Sequence, residues 1–315
     1  MILAKQWRRA AAVIGLCATY LAAQAADEHS ARIDLTQGVP IVQVRIDGQG
    51  PFTFVIDTGT NCQTIVAPRV AKRLGLTRRG LTNITDLGGH ATRALDLVEL
   101  DALLVAGTEF RAVPAVVTDL PDGDSVLDGI LGFSLFRNKM LTLDYPHHRV
   151  IVDEGSLAGA SEAHVLQMRM PNGVPLVEIA IAGTKAEAGI DSGGVGLSVP
   201  SAMADKIPFE GSVEAVAYGR TQVSSFELRG AVLDGVVDLA GFRFERPWVE
   251  LNPVFPAVNI GSDAMRDFAI TFDQRSKLVR FSAEGRVHAL VKPKDRASAT
   301  PLDELVGTVV ARERY

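Results

Sequence analysis

The sequence predicts a mainly β protein built from two similar lobes. Its 315 residues include 29 glycines and 15 prolines, and only 6% are aromatic. Frequent turn residues, with an apolar content that comes mostly from valine, leucine, isoleucine and alanine, favour many short strands over long helices. In addition, the strand-like residues 39–46 are echoed by residues 174–181, 135 positions further along. Such a repeat indicates two copies of one fold.

Residues 1–25 have the layout of a secretory signal peptide. A basic start precedes an uncharged apolar run over residues 10–23, followed by small residues up to Ala25. We expect cleavage before Ala26 and export to the periplasm or the medium. A retained membrane anchor is the alternative, but the apolar run is shorter than the roughly 20 residues that a bilayer span needs. We therefore expect no stable membrane span once the leader is removed.

Charge, cysteine and histidine usage exclude several classes of protein. The net charge is −5 without long runs of either sign, so the chain lacks the electrostatic pattern of a nucleic-acid binder. Cys62 is the only cysteine after the leader, and its apolar setting predicts a buried residue and not a nucleophile. The adjacent His147 and His148 have no further ligands at metal-site spacing. We expect neither a metal nor a cofactor.

The first copy of the repeat predicts a strand, a turn and a second strand. Apolar residues alternate with others over residues 42–46, the period-two pattern of a strand with one buried face. Gly48 then turns the chain into an apolar run that ends at Asp57. Pro68 opens a short helix over residues 69–74. The second copy repeats this order, with Asp191 after its apolar run and a helix over residues 201–206.

The correspondence continues to the end of each copy. The segment 128–132 (Asp-Gly-Ile-Leu-Gly) matches 257–261 at an offset of 129. The offset is 135 at the start of the repeat and 129 at its end. Such a change is expected for two copies whose loops differ in length. We place the N-terminal lobe at 31–155 and the C-terminal lobe at 164–283, with a small-residue linker between them. Residues 284–315 form a C-terminal tail, for which a terminal helix and a frayed end are both open.

Each copy carries an aspartate, a small hydroxyl residue and a glycine directly after an apolar strand. Asp57 and Asp191 are 134 positions apart, at matching places in the repeat. One such tripeptide predicts only an Asx turn. Two of them, related by a pseudo-twofold axis between the lobes, bring the two carboxyl groups face to face. Such a pair shares one proton and so offers a general acid and a general base for attack by water.

The neighbours of the two aspartates predict how the pair is supported. We expect Thr58 and Ser192 to form hydrogen bonds with backbone groups across the lobe interface. The amides around Gly59 and Gly193 are placed to stabilise negative charge on the carboxylates.

These motifs resemble those of bacterial retropepsin-like aspartic proteases. The resemblance rests on residues 54–60, on 128–132 and on the Leu-Asp-Tyr run at 143–145, and it recurs more weakly in the second lobe. It implies duplicated closed β barrels with short helices, joined in one chain as in pepsin-like enzymes, so that a monomer can be complete. The implied activity is that of an aspartic endopeptidase which acts on peptide or protein substrates. It also implies a flexible flap over the cleft of each lobe. The flap residues that we assign are Gly88, Gly89, Tyr218 and Gly219.

The second aspartate turn departs from the family pattern. Thr60 supplies the hydroxyl that usually follows the glycine, whereas Gly194 occupies the matching position. We expect Asp191 to be held less firmly than Asp57. Two alternatives stay open. A degenerate second lobe would give a noncatalytic peptide-binding or cell-envelope interaction protein, and a dimer would pair Asp57 with the partner's Asp57.

Overall fold

The computed structural model describes residues 29–85, 92–120, 127–220, 225–292 and 310–312. These residues form 23 strands and a few short helices, and the strands make one sheet of 14 strands and one of nine. The prediction of a mainly β, two-lobed fold is confirmed. Within these residues no helix is long and apolar enough to cross a membrane.

The strands of the first half are β1 (Ser30–Asp34), β2 (Ile41–Ile46), β3 (Gln49–Asp57), β4 (Thr64–Val66), β5 (Gly80–Thr85), β6 (Thr92–Val105), β7 (Thr108–Val117), β8 (Gly129–Gly132), β9 (Met140–Asp144), β10 (Arg149–Asp153) and β11 (Val165–Gln167). Those of the second half are β12 (Leu176–Ile181), β13 (Thr184–Ile190), β14 (Leu197–Pro200), β15 (Phe209–Arg220), β16 (Ser225–Leu233), β17 (Val236–Leu239), β18 (Phe242–Glu245), β19 (Trp248–Asn252), β20 (Val258–Ile260), β21 (Phe268–Asp273), β22 (Leu278–Ala283) and β23 (Val310–Arg312). The helices are α1 (Pro68–Leu74), α2 (Ser262–Met265) and the 3-10 helices Phe133–Phe136, Pro171–Gly173 and Ser201–Lys206.

The first lobe is a closed barrel of six strands. They follow one another in the order β2, β3, β8, β4, β7 and β6, and β2 pairs back with β6. Buried and exposed residues alternate along β2, as the period-two pattern predicts. Cys62 is buried in the core, as its apolar setting predicts. Because β3 runs parallel to β8 with Asp57 beside Gly132, both strands end at the same place.

The second lobe repeats these pairings in an open sheet. β13 runs parallel to β20, β20 pairs antiparallel with β14, and β14 runs parallel to β19. The same three relations connect β3, β8, β4 and β7 in the first lobe. The expected second barrel differs from the first: β12 pairs with β17 at the positions that match the β2–β6 pair, but the described strands of this lobe do not form a closed ring. The segment that corresponds to the long β6–β7 hairpin is divided there into four strands, β16 to β19, of nine, four, four and five residues.

Six strands in the order β11, β22, β21, β9, β10 and β1 join the two lobes. In this sheet β9 pairs antiparallel with β21, and Thr142 lies opposite Thr271. Their hydroxyl oxygens are 2.9 Å apart. These are positions that the sequence repeat matches with each other. An approximate twofold axis that passes between β9 and β21 places matching residues opposite each other, as this pairing does.

Each of these two central strands ends in an aspartate that closes a tight turn. Asp144 accepts hydrogen bonds from His147 Nδ1 at 2.8 Å and from Arg149 Nε at 2.7 Å. Asp273 accepts one from the backbone N–H of Ser276 at 3.1 Å. Burial alone would raise the pKa of both carboxyl groups, but these hydrogen bonds lower both pKa values below the ordinary value. The ring of His147 is thus part of a turn that supports the joining sheet.

Residues 310–312 form strand β23 at the edge of the 14-stranded sheet. β23 pairs antiparallel with β5, with Ala311 opposite Ile84. This differs from the terminal helix that was one alternative for this part of the tail. The edge of β5 offers unpaired backbone groups, which an extended segment can use and a helix cannot.

Gly129 allows β8 to pass close to its neighbours, so replacing it should destabilise the first barrel. A Cβ at this position would overlap the carbonyl oxygen of Ile65 and the ring of Phe54. We expect Gly129→Ala to lower the free energy of unfolding by about 1–3 kcal/mol, the usual cost of overpacking. Gly80→Ala is the matched control, because a Cβ there meets no atom within 4 Å. Thermal unfolding measures both variants, and equal midpoints would contradict this account of the packing.

Candidate active site

Two aspartates lie where strands of the two lobes end and face each other. Asp57 is the last residue of β3, and Asp191 directly follows β13. The backbone N–H of Asp191 donates to the carbonyl oxygen of Ile260 in β20 at 3.0 Å. Asp57 has the equivalent place beside Gly132 of β8. Each aspartate therefore follows a parallel strand pair, and the sheet behind it fixes its direction.

The carboxyl groups of Asp57 and Asp191 are hydrogen-bonded to each other. Asp57 has no exposed surface, and Asp191 is only 3% exposed. The backbone of Gly59 approaches the opposite carboxyl group so closely that a Cβ on it would lie 2.5 Å from Oδ1 of Asp191. The glycine of the first turn is thus required by the aspartate of the second.

The first turn donates two hydrogen bonds to Asp57. The backbone N–H of Gly59 donates to Oδ1 at 2.8 Å, and the hydroxyl of Thr60 donates to Oδ2 at 2.5 Å. The structure therefore places both of these support residues in direct contact with the carboxyl group. Donors of this kind favour the ionised form and offset part of the cost of burying it.

Asp191 accepts hydrogen bonds from three N–H donors, two in the second turn and one in the strand behind it. The backbone N–H groups of Gly193 and Gly194 each donate to Oδ1 at 3.1 Å. The side-chain amide of Asn259 donates from Nδ2 to Oδ2 at 3.0 Å. We expected Asp191 to be held less firmly because Gly194 has no hydroxyl. The structure differs, since the amide of Asn259 replaces that hydroxyl.

Asn259 is the site residue that the sequence analysis missed. It lies in β20, at the position that Ile130 has in the first copy of the repeat. The signal in the sequence is a pair of differences between the copies: an amide where the first copy has isoleucine, and a glycine where it has threonine. Either difference alone is uninformative, and together they indicate that one donor has replaced another.

Burial and the charge of the partner set the pKa values of the pair. Burial raises the pKa of Asp57 well above its ordinary value, and the negative charge of Asp191 raises it further. Burial also raises the pKa of Asp191. Hydrogen bonds from Asn259, from Asp57 and from the two glycine N–H groups counteract that rise. Both pKa values are thus raised by burial, and two carboxyl groups this close hold one proton between them over a broad pH range.

Thr58 and Ser192 fasten the two turns to each other. The backbone N–H of Thr58 donates to Oγ of Ser192 at 3.0 Å, and that of Ser192 donates to Oγ1 of Thr58 at 2.9 Å. Each hydroxyl also donates to a carbonyl oxygen of the opposite lobe. Thr58 reaches Ile190 at 2.6 Å, and Ser192 reaches Ile56 at 2.7 Å. The structure thus places both residues in the hydrogen bonds across the interface that the sequence predicts.

Contacts beside the two turns are arranged as mirrored pairs. The amide of Asn61, in the loop after the first turn, donates to the carbonyl oxygen of Asn172 at 2.7 Å. On the other side, Gly38 lies beside Val195, in the loop after the second turn, and a Cβ on Gly38 would be 3.5 Å from that side chain. In each pair the loop before the first strand of one lobe contacts the loop after the aspartate turn of the other. The lobes therefore meet on both sides of the carboxyl pair.

Ser262 and Tyr145 support the second turn from behind. The hydroxyl of Ser262 donates to the carbonyl oxygen of Ser192 at 2.8 Å, and Oη of Tyr145 lies 3.0 Å from Oγ of Ser262. Burial raises the pKa of Tyr145 well above its ordinary value, so the phenol stays neutral. It is a hydrogen-bonding support and not a titrating group.

Only two of the four predicted flap residues are among the described residues. Gly88 and Gly89 lie outside the described residues, between the paired strands β5 and β6. Tyr218 and Gly219 lie near the end of β15, which pairs with β16. Their role as flaps stays a prediction.

Comparison with known families bears on the first lobe. Residues 42–135 match a family model described as aspartyl protease. The match contains Asp57 and the strand β8 behind it, and it ends before Asp191. This segment is similar to aspartyl protease domains, which agrees with the resemblance to retropepsin-like proteases that the sequence motifs show. No curated protein matches the chain.

Thr58 should be a main source of stability at the lobe interface. Thr58→Val keeps the shape of the side chain but leaves the carbonyl of Ile190 and the N–H of Ser192 without their partner hydroxyl. We expect a loss of about 1–3 kcal/mol for each group left unpaired. Thr53→Val is the matched control, because this threonine lies on a strand and its hydroxyl takes part only in an exposed hydrogen bond. Denaturant unfolding checks both, and an equal effect of the two variants would contradict the assigned role.

Removing the carboxyl group of Asp57 should stabilise the fold at neutral pH. A carboxyl group with a higher pKa in the folded protein costs stability as the pH rises above its unfolded pKa of about 4. The pKa of Asp57 is raised well above that value. Asp57→Asn should therefore raise the thermal midpoint at pH 7 by on the order of 5 °C, and the gain should vanish near pH 3. The exposed Asp101→Asn should give no such change. A gain that is independent of pH would count against the charge explanation.

Proposed function

We propose that this chain is an exported aspartic endopeptidase, which hydrolyses peptide bonds with a water molecule activated between Asp57 and Asp191. The observation that carries the proposal is the carboxyl pair itself. Two aspartates from matching positions of the two lobes form a buried, hydrogen-bonded pair within one chain. The aspartyl protease match over residues 42–135 supports the peptide bond as the bond that is cleaved. The leader-like residues 1–25 support export.

The first chemical step uses the asymmetry of the pair. Asp191, the ionised member, accepts a proton from the bound water, and the oxygen of that water attacks the carbonyl carbon. Asp57 donates its proton to the carbonyl oxygen at the same time. The product of this step is a neutral intermediate with two hydroxyl groups on the former carbonyl carbon. No charge has to develop in a site that is closed to solvent.

The second step restores the pair. The bond between carbon and nitrogen breaks, and the leaving nitrogen takes the proton that Asp191 had received. One hydroxyl of the intermediate returns its proton to Asp57, which leaves a carboxylic acid and an amine as products. The reaction needs only the two carboxyl groups and water, and one chain carries both groups.

Peptide cleavage tests the proposal. The protein, expressed with its own leader and purified after export, is mixed with a diverse peptide pool between pH 3 and 8, and the products are identified by mass spectrometry. We expect cuts within a bell-shaped pH range, because only the singly protonated pair is active. Asp57→Asn and Asp191→Asn should each abolish every cut, with a loss of at least about 10³-fold. Asp101→Asn, on the surface, should cut like the parent protein.

Each alternative predicts a different result of the same experiment. A parent protein that binds peptides but cuts none at any pH would be a noncatalytic binding protein. Full activity of Asp191→Asn, together with dimers in sedimentation, would show that Asp57 pairs between chains. Cuts that persist in both aspartate variants would come from a contaminating protease.

A further inference from the structure

We propose that Asn259 is a positioning residue which replaces, in the second lobe, the hydroxyl that Thr60 supplies in the first, and that it makes Asp191 the base of the pair. This inference rests on the proposed protease function, and it goes further by assigning the two aspartates to different roles. It is carried by three features of the site: an exchange of residues between the lobes, the space around Gly194, and the donor chemistry of an amide.

The exchange of residues concerns the oxygen Oδ2 of each carboxyl group, which we call the outer oxygen. In the first lobe, the hydroxyl of Thr60 donates to Oδ2 of Asp57. In the second lobe, Oδ2 of Asp191 accepts from Nδ2 of Asn259. The first donor comes from the aspartate turn itself, and the second comes from the strand behind the turn. The same oxygen is thus served in both lobes by different chemistry.

The space around Gly194 shows that the two solutions exclude each other. A Cβ on Gly194 would lie 2.9 Å from Nδ2 of Asn259 and 3.1 Å from Oδ2 of Asp191. Gly194 is not among the glycines with a left-handed backbone, so its conformation does not forbid a side chain. A threonine at this position therefore meets Asn259 as its main obstacle. Glycine at 194 and asparagine at 259 form one packing unit.

The orientation of the amide is fixed by its surroundings. Nδ2 faces the acceptor oxygen of Asp191, while Oδ1 lies near Gly189 of the adjacent strand β13, 3.5 Å from where a Cβ on that glycine would be. A flipped amide would place its oxygen against a carboxylate oxygen, and neither atom could donate. Asn259 therefore presents an N–H group to Asp191 and cannot exchange it for an acceptor.

An amide N–H and a hydroxyl differ in what they favour. The N–H group only donates, so it stabilises an ionised carboxylate. A hydroxyl can donate to a carboxylate oxygen or accept from a protonated carboxyl group, so Thr60 suits either state of Asp57. The shared proton consequently resides on Asp57. The pKa values agree, since the hydrogen bond from Asn259 is the largest of the effects that counteract the rise in the pKa of Asp191.

The pH dependence of kcat/KM tests this assignment with the full-length protein. Asn259→Leu keeps the size of the side chain and removes the donor. The ionised pair should then form only at higher pH, which moves the acidic limb of the profile upward by about one to two pH units. The basic limb, which reports loss of the proton from Asp57, should stay in place. Asn252→Leu is the matched control, because Asn252 is a buried asparagine in the same lobe whose amide bonds to Ser198. It should lower stability without moving the acidic limb.

A double variant provides the rescue. Gly194→Thr alone should lower kcat at least about tenfold, because the new side chain collides with Asn259 and displaces the amide. Asn259→Ala alone should shift the acidic limb like the leucine variant. Together, the two changes copy the first lobe, since the threonine hydroxyl can reach Asp191 in the vacated space. We expect the double variant to recover most of the activity. Its acidic limb should return to within about half a pH unit of that of the parent protein.

An unchanged acidic limb in Asn259→Leu, or a double variant no better than its two parents, would overturn the role of Asn259. A second measurement does not depend on cleavage. If the parent protein cuts no peptide, the proposed protease function fails, and the assignment is then decided by carbon NMR titration of the aspartate carboxyl groups. In that titration the lower apparent pKa of the pair should still rise in Asn259→Leu and not in Asn252→Leu. Equal titration curves would reject the assignment.

Discussion

Burying two carboxyl groups against each other is the constraint on which the rest of this structure depends. Both groups cannot be ionised at low cost in a space that excludes water. The fold must therefore supply donors to the ionised member and prevent the turns from moving apart. Thr58 and Ser192 meet the second demand with four hydrogen bonds that all cross from one lobe to the other. Because every one of these bonds needs both lobes, the site forms only when the lobes have folded and docked.

Symmetry and asymmetry in the molecule serve different needs. The joining sheet, with Thr142 opposite Thr271, places matching elements of the lobes on either side of one axis and so brings the aspartates together. Hydrolysis by a carboxyl pair, however, needs one acid and one base. At the site, the lobes differ in the group that donates a hydrogen bond to Oδ2: the hydroxyl of Thr60 in the first lobe and the amide of Asn259 in the second. An approximately symmetric scaffold therefore sets the distance between the aspartates, and a local asymmetry gives the two carboxyl groups different hydrogen-bond donors.

The sequence predicts those features of the fold and the site that adjacent residues encode, and it does not predict those that depend on residues far apart in the chain. The turns at Asp57 and Asp191 are encoded by adjacent residues, and their repetition makes them recognisable. The short helix after Pro68 is likewise a local signal, and the structure places α1 there. Closure of the first barrel depends on pairing between β2 and β6, which no short pattern determines. Asn259 lies 68 positions from the aspartate that it contacts, so its role emerges only from the folded chain or from comparing the two copies.

A single chain with two lobes permits an arrangement that a symmetric dimer of one lobe cannot have. In such a dimer, the residue beside the first carboxyl group is also the residue beside the second. Two hydroxyls, or two amides, would leave the shared proton without a preferred side. When both copies lie in one chain, one position can keep threonine while the other changes to glycine and the strand behind it gains asparagine. The duplication therefore allows the acid and the base to be assigned by residues outside the pair, with no change to the aspartates themselves.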